Sequence, residues 1–368
     1  MENNQQIPVS RSRIVSIDVL RAFALFGIIL VHIIPQFGCG KLDTQDYPID
    51  SNTAIFIRLF FEDRCATIFN ILFGVSFYII LKNPKNTSRK FVWRCFLLMM
   101  IGVFDKIFYW VDALMWYGIC GMLLVSVRRL SCKSLAGIIV TLIFLSFFLS
   151  RLQLGAFLDD YIGDSHDFRY SYECSLSDAV TLLPKAIAYY IRIIINGGIF
   201  MAFANFMIGY LIGKRGYIET MDNRVSLKSL FESFAIYLFF YLLSSNLPIL
   251  VWWSRLGYSL FGALFYTLLI VYIYNHTRLR PIMTFFSYYG RCGLTNYMIQ
   301  GIVGVIVFCH MGVAWMHVGL SVLFIGAIIF YFFQVIFSYS WLYFFKNGPM
   351  EYIWRCGIER KILPFLKK

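Results

Sequence analysis

The 368-residue chain carries little charge for its length, and most of that charge is basic. Charged residues make up 14% of the sequence, with 33 Lys and Arg against 20 Asp and Glu. A soluble domain has about 25% charged residues, so an ordinary soluble protein is excluded. Hydrophobic residues make up 59% of the chain, and the mean hydropathy is +0.69. The composition therefore predicts a protein that crosses a membrane several times.

The long apolar runs also lack the alternation of apolar and polar residues that is typical of strands in a membrane β-barrel. Helices are expected instead, each about 20 residues long, because the bilayer core is about 30 Å thick. We predict an all-α bundle of about ten transmembrane helices, over roughly residues 14–36, 53–81, 91–108, 112–128, 134–150, 183–213, 230–248, 256–275, 284–309 and 318–345. The bundle is one domain, residues 1–345, with an outer loop at 151–182. Residues 346–368 are predicted to form a cytoplasmic tail with an amphipathic helix on the inner leaflet.

The sequence also shows neither the cysteine spacing of a metal site nor the features of a cleavable signal peptide. The nine cysteines contain no CxxC pair, so no metal site is expected. Cys39 and Cys174 both fall in predicted outer loops, where they either pair or stay free. The first apolar run is too long for the core of a signal peptide and has no A-x-A-like site, so it is expected to remain as the first helix.

Basic and acidic residues fall on opposite sides of the predicted bundle. The side with both termini holds most of the bases: Arg11, Arg13, those in 82–94, 128–133 and 214–228, Arg278, Arg280, and those in 346–368. The opposite loops hold Asp43, Asp46, Asp50, Asp159, Asp160, Asp164, Asp167, Glu173 and Asp178. Since basic residues favour cytoplasmic loops, both termini are predicted to be cytoplasmic. Because the positive charge follows the membrane boundary, it argues against a nucleic-acid partner.

The first predicted helix, SIDVLRAFALFGIILVHIIPQFG, carries ionisable residues inside an apolar run. The eleven-residue step from Arg21 to His32 keeps both within about 20° of one helix face, about 16 Å apart. Ionisable residues within a span usually face a cavity or a partner. Either Asp18 and Arg21 form an ion pair at the membrane boundary while His32 caps a neighbouring helix, or Arg21 and His32 line a site.

A second group of ionisable residues is predicted in the outer half of the bundle. Its members are Arg58, Glu62, Asp63 and Arg64 in the second predicted helix, and Asp105 and Asp112 around the connection between the third and fourth. Arg58 and Glu62 are one turn apart, and Arg58 is near the height of His32. The group either forms a polar pocket or consists of ion pairs that neutralise one another.

The ninth predicted helix, in YYGRCGLTNYMIQGIVG, has polar residues on at least two faces. Asn296 and Gln300 share one stripe, and Arg291 lies near the cytoplasmic end. Amides in membrane helices commonly hydrogen-bond to neighbouring helices. An Arg at this depth can bind a phosphate or extend to the interface. Packing and ligand binding are therefore both open for these three residues.

Several stretches together resemble the YeiB-like family of bacterial inner-membrane proteins: RIVSIDVLRAFALFGIILVH, IFNILFGVSF, GVFDKIFYWVDALMWYGICGMLL, ANFMIGYLIGKRGYIE, GRCGLTNYMIQ and GPMEYIWR. The first helix is also similar to that of the transmembrane acyltransferase superfamily, which includes the acyltransferase-3 enzymes and the lysosomal heparan-α-glucosaminide N-acetyltransferase. The acyltransferase-3 signature is an Arg or Lys, ten residues and a catalytic His, and Arg21 and His32 have this spacing. The resemblance implies a multi-pass protein of the bacterial inner membrane and an acyl-transfer activity.

The expected activity moves an acyl group from cytoplasmic acetyl-CoA or another acyl-CoA to an envelope glycan or lipid-linked acceptor, with no permanently bound cofactor. His32 is expected to act as general base, with Glu62 or Asp112 orienting its ring. The expected binding residues are Arg21, Arg58, Arg291, Asn296 and Gln300. A transporter or flippase for a small polar or lipid-linked solute, and a non-catalytic scaffold, are the alternatives.

Overall fold

The computed structural model describes residues 14–37, 48–83, 86–106, 112–162, 183–218, 220–221, 225–246, 251–308 and 319–367. Its helices are α1 (Val15–Phe37), α2 (Pro48–Phe60), α3 (Arg64–Leu81), α4 (Ser88–Asp105), α5 (Leu114–Val127), α6 (Cys132–Leu152), α7 (Asp159–Ile162), α8 (Leu183–Ile195), α9 (Gly198–Lys214), α10 (Leu227–Asn246), α11 (Val251–His276), α12 (Arg280–Arg291), α13 (Gly293–Phe308), α14 (Leu320–Phe344) and α15 (Pro349–Glu359). A 3-10 helix, Leu154–Leu158, separates α6 from α7. In the described ranges the predicted all-α class is confirmed.

Six helical stretches of the described chain are long and apolar enough to cross a membrane: Val15–His32, Asp50–Lys82, Cys132–Leu152, Leu227–Ser244, Val251–His276 and Leu320–Phe344. A seventh is obtained if Ile187–Ile195 and Gly198–Lys214, which are bent by 74°, count as one broken span. The protein is therefore multi-pass in character. The count of ten spans and the cytoplasmic position of the termini stay predictions.

The predicted cytoplasmic tail contains α15, which packs against α4 and α13. Its position on the inner leaflet stays a prediction. Most of the predicted outer loop, together with Cys39 and Cys174, lies outside the described residues.

Three of the predicted spans are each divided into two helices. Residues 53–81 hold α2 and α3, residues 183–213 hold α8 and α9, and residues 284–309 hold α12 and α13. Gly197, at the second break, has a φ of 91°, a left-handed conformation that glycine adopts without steric cost. Each break frees backbone groups that side chains must satisfy inside a membrane protein.

At the α2–α3 break, the buried side chain of Arg64 satisfies two of these groups. Its Nη1 donates to the carbonyl oxygens of Arg58, at 2.7 Å, and Glu62, at 2.6 Å. The guanidinium carbon lies 5.1 Å from the ring centroid of Tyr237 and 4.8 Å from that of Tyr258. These are cation–π distances. One cation therefore joins α2 and α3 to α10 and α11.

Replacing Arg64 by Lys is expected to destabilise the protein by about 2–3 kcal/mol, because a compact ammonium cannot keep the forked hydrogen bonds and the ring contacts together. The measurement is the thermal unfolding of purified protein in detergent. Arg58→Lys, at an exposed side chain, is the matched control. Equal unfolding midpoints for both variants would show that Arg64 does not stabilise the break.

Glycines allow the helices around α1 to approach closely. A Cβ at Gly74 would collide with the carbonyl oxygen of Phe206 in α9, and one at Gly290 would collide with that of Asp18 in α1. Small residues permit this backbone contact between membrane helices. As a result α3 packs tightly on α9, and α12 packs tightly on α1, which also contacts α3 and α13.

Candidate functional site

A cavity of about 290 Å³, named here the central cavity, lies among α1, α3, α4, α5, α12, α13 and α15. Its walls are largely apolar and include Leu25, Phe69, Leu72, Phe73, Phe77, Leu98 and Leu114. Its polar side chains are mainly Arg21, Ser76, Arg94, Arg291, Tyr297 and Glu351. Most of these collect at the end of the bundle where α1 and α4 begin and α15 lies. This end is called the terminal face.

Arg21 forms the ion pair that one alternative predicts, and it also lines the central cavity, although without His32. Its Nη1 donates to Oδ1 of Asp18 at 2.8 Å, and its Nη2 donates to the hydroxyl of Ser76 in α3. The side chain of Asp18 is 3% exposed, whereas that of Arg21 is 28% exposed. Arg21 is therefore held by an ion pair and still lines the central cavity.

Arg94 of α4 borders two cavities. Its guanidinium carbon lies 4.1 Å from the ring centroid of Trp354 in α15, and the indole Nε1 of Trp354 donates to the Arg94 carbonyl oxygen at 3.1 Å. Among the described residues, the buried Nε of Arg94 has no hydrogen-bond partner. Arg94 and Ile80 line the central cavity and also a second cavity beside it.

The second cavity, named here the vestibule, has a volume of about 500 Å³ and is basic. It is lined by Ile80, Asn86, Arg94, Lys346, Asn347, Arg355, Ile358, Glu359, Lys361, Leu363 and Pro364. Its acidic member, Glu359, pairs with Lys90 at 2.5 Å. The hydrogen bond from Lys90 lowers the pKa of the Glu359 carboxyl below its ordinary value. Among the described residues, four cationic side chains therefore line the vestibule, while its carboxylate, Glu359, is already paired.

Glu351 of α15 closes the terminal face of the central cavity against α13. Its carboxylate accepts hydrogen bonds from the backbone N–H groups of Leu294, at 2.7 Å, and Thr295, at 3.1 Å, and from the Thr295 hydroxyl. A carboxylate at a helix N-terminus is stabilising. Burial raises the pKa of the Glu351 carboxyl, and these hydrogen bonds act in the opposite direction. The motifs GRCGLTNYMIQ and GPMEYIWR are thus in direct contact.

Asp112 lies at the far end of the central cavity, where α4 ends and α5 begins. Its carboxylate accepts hydrogen bonds from the N–H groups of Leu114, at 2.9 Å, and Met115, at 3.4 Å. The phenol of Tyr297 hydrogen-bonds to the same carboxylate, and its oxygen accepts the N–H of Ala113 at 3.1 Å. Leu114 and Tyr297 both line the cavity, so Asp112 is separated from it by one phenol group.

His32 and its expected partners lie elsewhere among the described residues. His32 is partly buried and is not among the residues that line the central cavity or the vestibule. Glu62 lies 3.5 Å from Arg255, which makes a bidentate contact with Asp63 at 2.6 and 3.2 Å. Arg58 is exposed. The structure therefore does not bring Arg58, Glu62 or His32 to either cavity.

Asn296 and Gln300 join three helices and line neither the central cavity nor the vestibule. The amide nitrogen of Asn296 donates to the Tyr289 carbonyl at 3.1 Å and to the Ser338 hydroxyl at 2.9 Å. The amide of Gln300 donates to the Tyr289 hydroxyl at 2.8 Å, and that of Gln334 donates to the Asn296 carbonyl at 2.9 Å. This network connects α12, α13 and α14, as the packing interpretation predicts. Arg291, by contrast, lines the central cavity.

Sequence reasoning misses four residues that line the cavities: Ser76, Arg94, Tyr297 and Glu351. Tyr297 and Glu351 lie inside the two most specific motifs, and this was the available signal. Arg94 is one of several bases at the membrane boundary in the sequence, and nothing there distinguishes it. Its position becomes apparent only when α15 packs on α4.

Comparisons with known proteins match two separate regions of the chain to two family models. Residues 13–161 match the family described as heparan-alpha-glucosaminide N-acetyltransferase, catalytic. Residues 212–361 match a family described as protein of unknown function (DUF418). Arg94 and Asp112 lie in the first region, and Arg291 and Glu351 lie in the second. The central cavity therefore includes residues from both matched regions.

Three uncharacterized bacterial proteins are similar along nearly their whole length. YxaH of Bacillus subtilis (strain 168) is 24% identical, covering 99% of this chain and 98% of the relative. A 39.9 kDa protein of Bacillus acidopullulyticus, from an amylase 3′ region, is 25% identical, covering 97% and 96%. YeiB of Escherichia coli (strain K12) is 24% identical, covering 97% and 99%. No solved structure matches.

The long apolar helices define a multi-pass membrane protein, and residues 13–161 are similar to the catalytic region of heparan-alpha-glucosaminide N-acetyltransferase. Within this class the chain is similar to the YeiB-like proteins, through its relatives YxaH and YeiB and the match to the DUF418 model, and also to acetyltransferases of the heparan-α-glucosaminide type. The family resemblance inferred from the sequence is thereby confirmed.

Proposed function

We propose that the protein is a transmembrane acyltransferase that takes an acyl group from cytoplasmic acyl-CoA and transfers it to an envelope acceptor, a glycan or a lipid-linked group. The observation that carries this proposal is the pair of adjoining cavities that share Arg94. A basic vestibule suits the phosphates of coenzyme A, because guanidinium and ammonium groups bind phosphate through charge-assisted hydrogen bonds. The apolar central cavity suits the pantetheine arm and the acyl group.

The central cavity extends deep into the bundle, which supports transfer of the acyl group to an acceptor on the side opposite the terminal face. Gly102, beside Asp112, is eight residues beyond Arg94, which is about 12 Å along α4. If the terminal face is cytoplasmic, as the loop charges predict, an acyl group in the cavity lies well inside the membrane. An acceptor from the opposite side then has a shorter distance to reach it.

The chemistry needs one base and no external oxidant or reductant. The acceptor hydroxyl or amine attacks the thioester carbonyl, a C–O or C–N bond forms, and the C–S bond breaks. The acceptor loses a proton to the base, and that proton returns to the departing thiolate. Two side chains are candidates for this base: Asp112, reached through Tyr297, and His32, which has the signature spacing from Arg21.

The activity can be tested in inverted inner-membrane vesicles that contain the full-length protein. Labelled acetyl-CoA is added outside the vesicles, which is the cytoplasmic side, and both thiol release and label in envelope material are measured. Vesicles without the protein are the control. We expect both signals to depend on the protein. If neither thiol release nor labelled product depends on it, the acyltransferase proposal is wrong.

Transport of a small polar or lipid-linked solute is the second candidate, and the broken helices favour it. The span formed by α8 and α9 is bent by 74°, and discontinuous helices form the substrate sites of many transporters. In the same vesicles, movement of an unmodified solute or lipid probe without thiol release would favour transport over acyl transfer.

A further inference from the structure

Asp105, Lys106 and Asp112 are buried near the far end of the central cavity, where the Asp105 carboxyl interacts electrostatically with the other two side chains. Their exposed fractions are 0%, 3% and 0%. The Lys106 ammonium donates to the Asp112 carbonyl oxygen at 3.0 Å and lies 4.0 Å from the Asp112 carboxylate. It also lies 3.4 Å from the ring centroid of Tyr190 in α8, whose hydroxyl donates to the Asp112 carbonyl at 2.8 Å.

The two carboxyl groups have very different surroundings. Asp112 accepts hydrogen bonds from two N–H groups and from the phenol of Tyr297, so its anion is stabilised. Neither carboxyl oxygen of Asp105 accepts a hydrogen bond from any part of the chain that the structure describes. Burying an anion without hydrogen bonds is strongly unfavourable, and such a group takes up a proton instead.

The net charge of this cluster of three side chains also indicates that one of the two carboxyl groups is protonated. Two carboxylates and one ammonium would leave a net negative charge in a buried site, whereas one added proton makes the cluster neutral. Among the described residues, the phenols of Tyr117 in α5, Tyr190 in α8 and Tyr297 in α13 also face the cluster. None of these supplies a second cation. Like charges that share a site cannot both be ionised at low cost.

We propose that Asp105, Lys106 and Asp112 form a proton-binding site in which Asp105 carries the proton and Asp112 is the anion. Tyr297 connects this site to the central cavity, because its phenol hydrogen-bonds to Asp112 and its side chain lines the cavity. The neutral Asp105 keeps Asp112 the single ionised carboxylate of the cluster. Only the use of Asp112 as the base in acyl transfer rests on the proposed function.

The proton on Asp105 can be measured by infrared difference spectroscopy of the full-length protein in lipid nanodiscs. A protonated, buried carboxyl gives a C=O stretching band that a carboxylate lacks. We expect this band at neutral pH, and we expect Asp105→Asn to remove it. Asp159→Asn is the matched control, since Asp159 forms a half-exposed ion pair with Arg192 at 2.9 Å, and the band should persist there.

Thermal unfolding gives a second, independent result. Asn is a neutral isostere of a protonated Asp, so Asp105→Asn is expected to fold and to unfold near the wild-type temperature. Asp112→Asn is expected to lower the unfolding temperature, because Asp105, whose oxygens accept no hydrogen bond from the described residues, must then be ionised to balance the buried charge of Lys106. A severe loss of folding in Asp105→Asn, or a carboxyl band that survives it, would overturn the assignment. Because neither measurement uses acyl-CoA, these results are distinct from a failure of the acyl-transfer proposal.

Discussion

Replacing Asp112 by Asn is expected to lower kcat for acyl transfer by about 10²–10⁴-fold, the usual contribution of general base catalysis. Asn can still accept the N–H groups at the start of α5, as an N-cap residue should, but it has no useful basicity. The loss should therefore appear mainly in kcat, with little change in KM for acyl-CoA. Thiol release from acetyl-CoA by purified protein in nanodiscs is the measurement.

A pH profile separates proton transfer from a structural role of Asp112. A carboxylate base must be deprotonated, so kcat of the wild type should fall at acidic pH, and the variant should lose this dependence. Tyr297→Phe should reduce kcat as well, since it removes the phenol between the cavity and Asp112. Full activity in both variants would exclude this route for the proton.

His32→Ala and His32→Asn are the corresponding tests of the other candidate base. The signature spacing predicts a kcat loss of the same size for either variant, because an amide offers hydrogen bonds but no basicity. The structure places His32 on α1 outside the lining of both cavities. A loss at His32 with none at Asp112 would therefore assign the base to α1 and would locate the acceptor there.

Replacing Arg94 by Ala is expected to raise KM for acyl-CoA by about 10–100-fold while leaving kcat nearly unchanged. A charge-assisted hydrogen bond to a phosphate contributes about 1.5–3 kcal/mol, and each 1.4 kcal/mol corresponds to about tenfold in affinity. Arg94 is the cation that lines both cavities, so its loss should weaken donor binding. Equilibrium binding of desulfo-coenzyme A, a non-reactive analogue, provides a measurement without turnover.

Arg89→Ala is the matched control for this experiment. Arg89 lies on the same helix and is exposed, and it lines neither cavity. Both variants remove one positive charge from the terminal face, so a general electrostatic effect would change both equally. Equal binding by Arg89→Ala and Arg94→Ala would mean that the vestibule does not hold the donor phosphates.

The class of the protein and the positions of most helices follow from local features of the sequence. A helix that crosses lipid makes all its backbone hydrogen bonds internally and needs a run of about 20 apolar residues. Such runs can be recognised in the sequence without any tertiary contact. The Asp18–Arg21 ion pair could also be predicted from the sequence, because residues three apart in a helix are neighbours. The motifs GRCGLTNYMIQ and GPMEYIWR indicated the family from the sequence alone, because each is a contiguous stretch of residues.

The breaks and the site depend on contacts between residues far apart in the chain. Residues 53–81 read as one predicted span in spite of four charged residues, and the division becomes visible only when the Arg64 side chain donates to the carbonyls of Arg58 and Glu62. In the same way, the sequence predicts His32 as the base and Asp112 as a residue that orients its ring, but it does not show which of the two lies beside a cavity. Close packing of α4 on α5 at Gly102 places Asp112 behind Tyr297, while His32 stays outside the lining of either cavity. The sequence alone determined a multi-pass helical protein that resembles this family, because hydrophobic length and motif identity are local properties. Only the tertiary structure decided which polar residues share a cavity, because that depends on how closely the helix backbones approach one another.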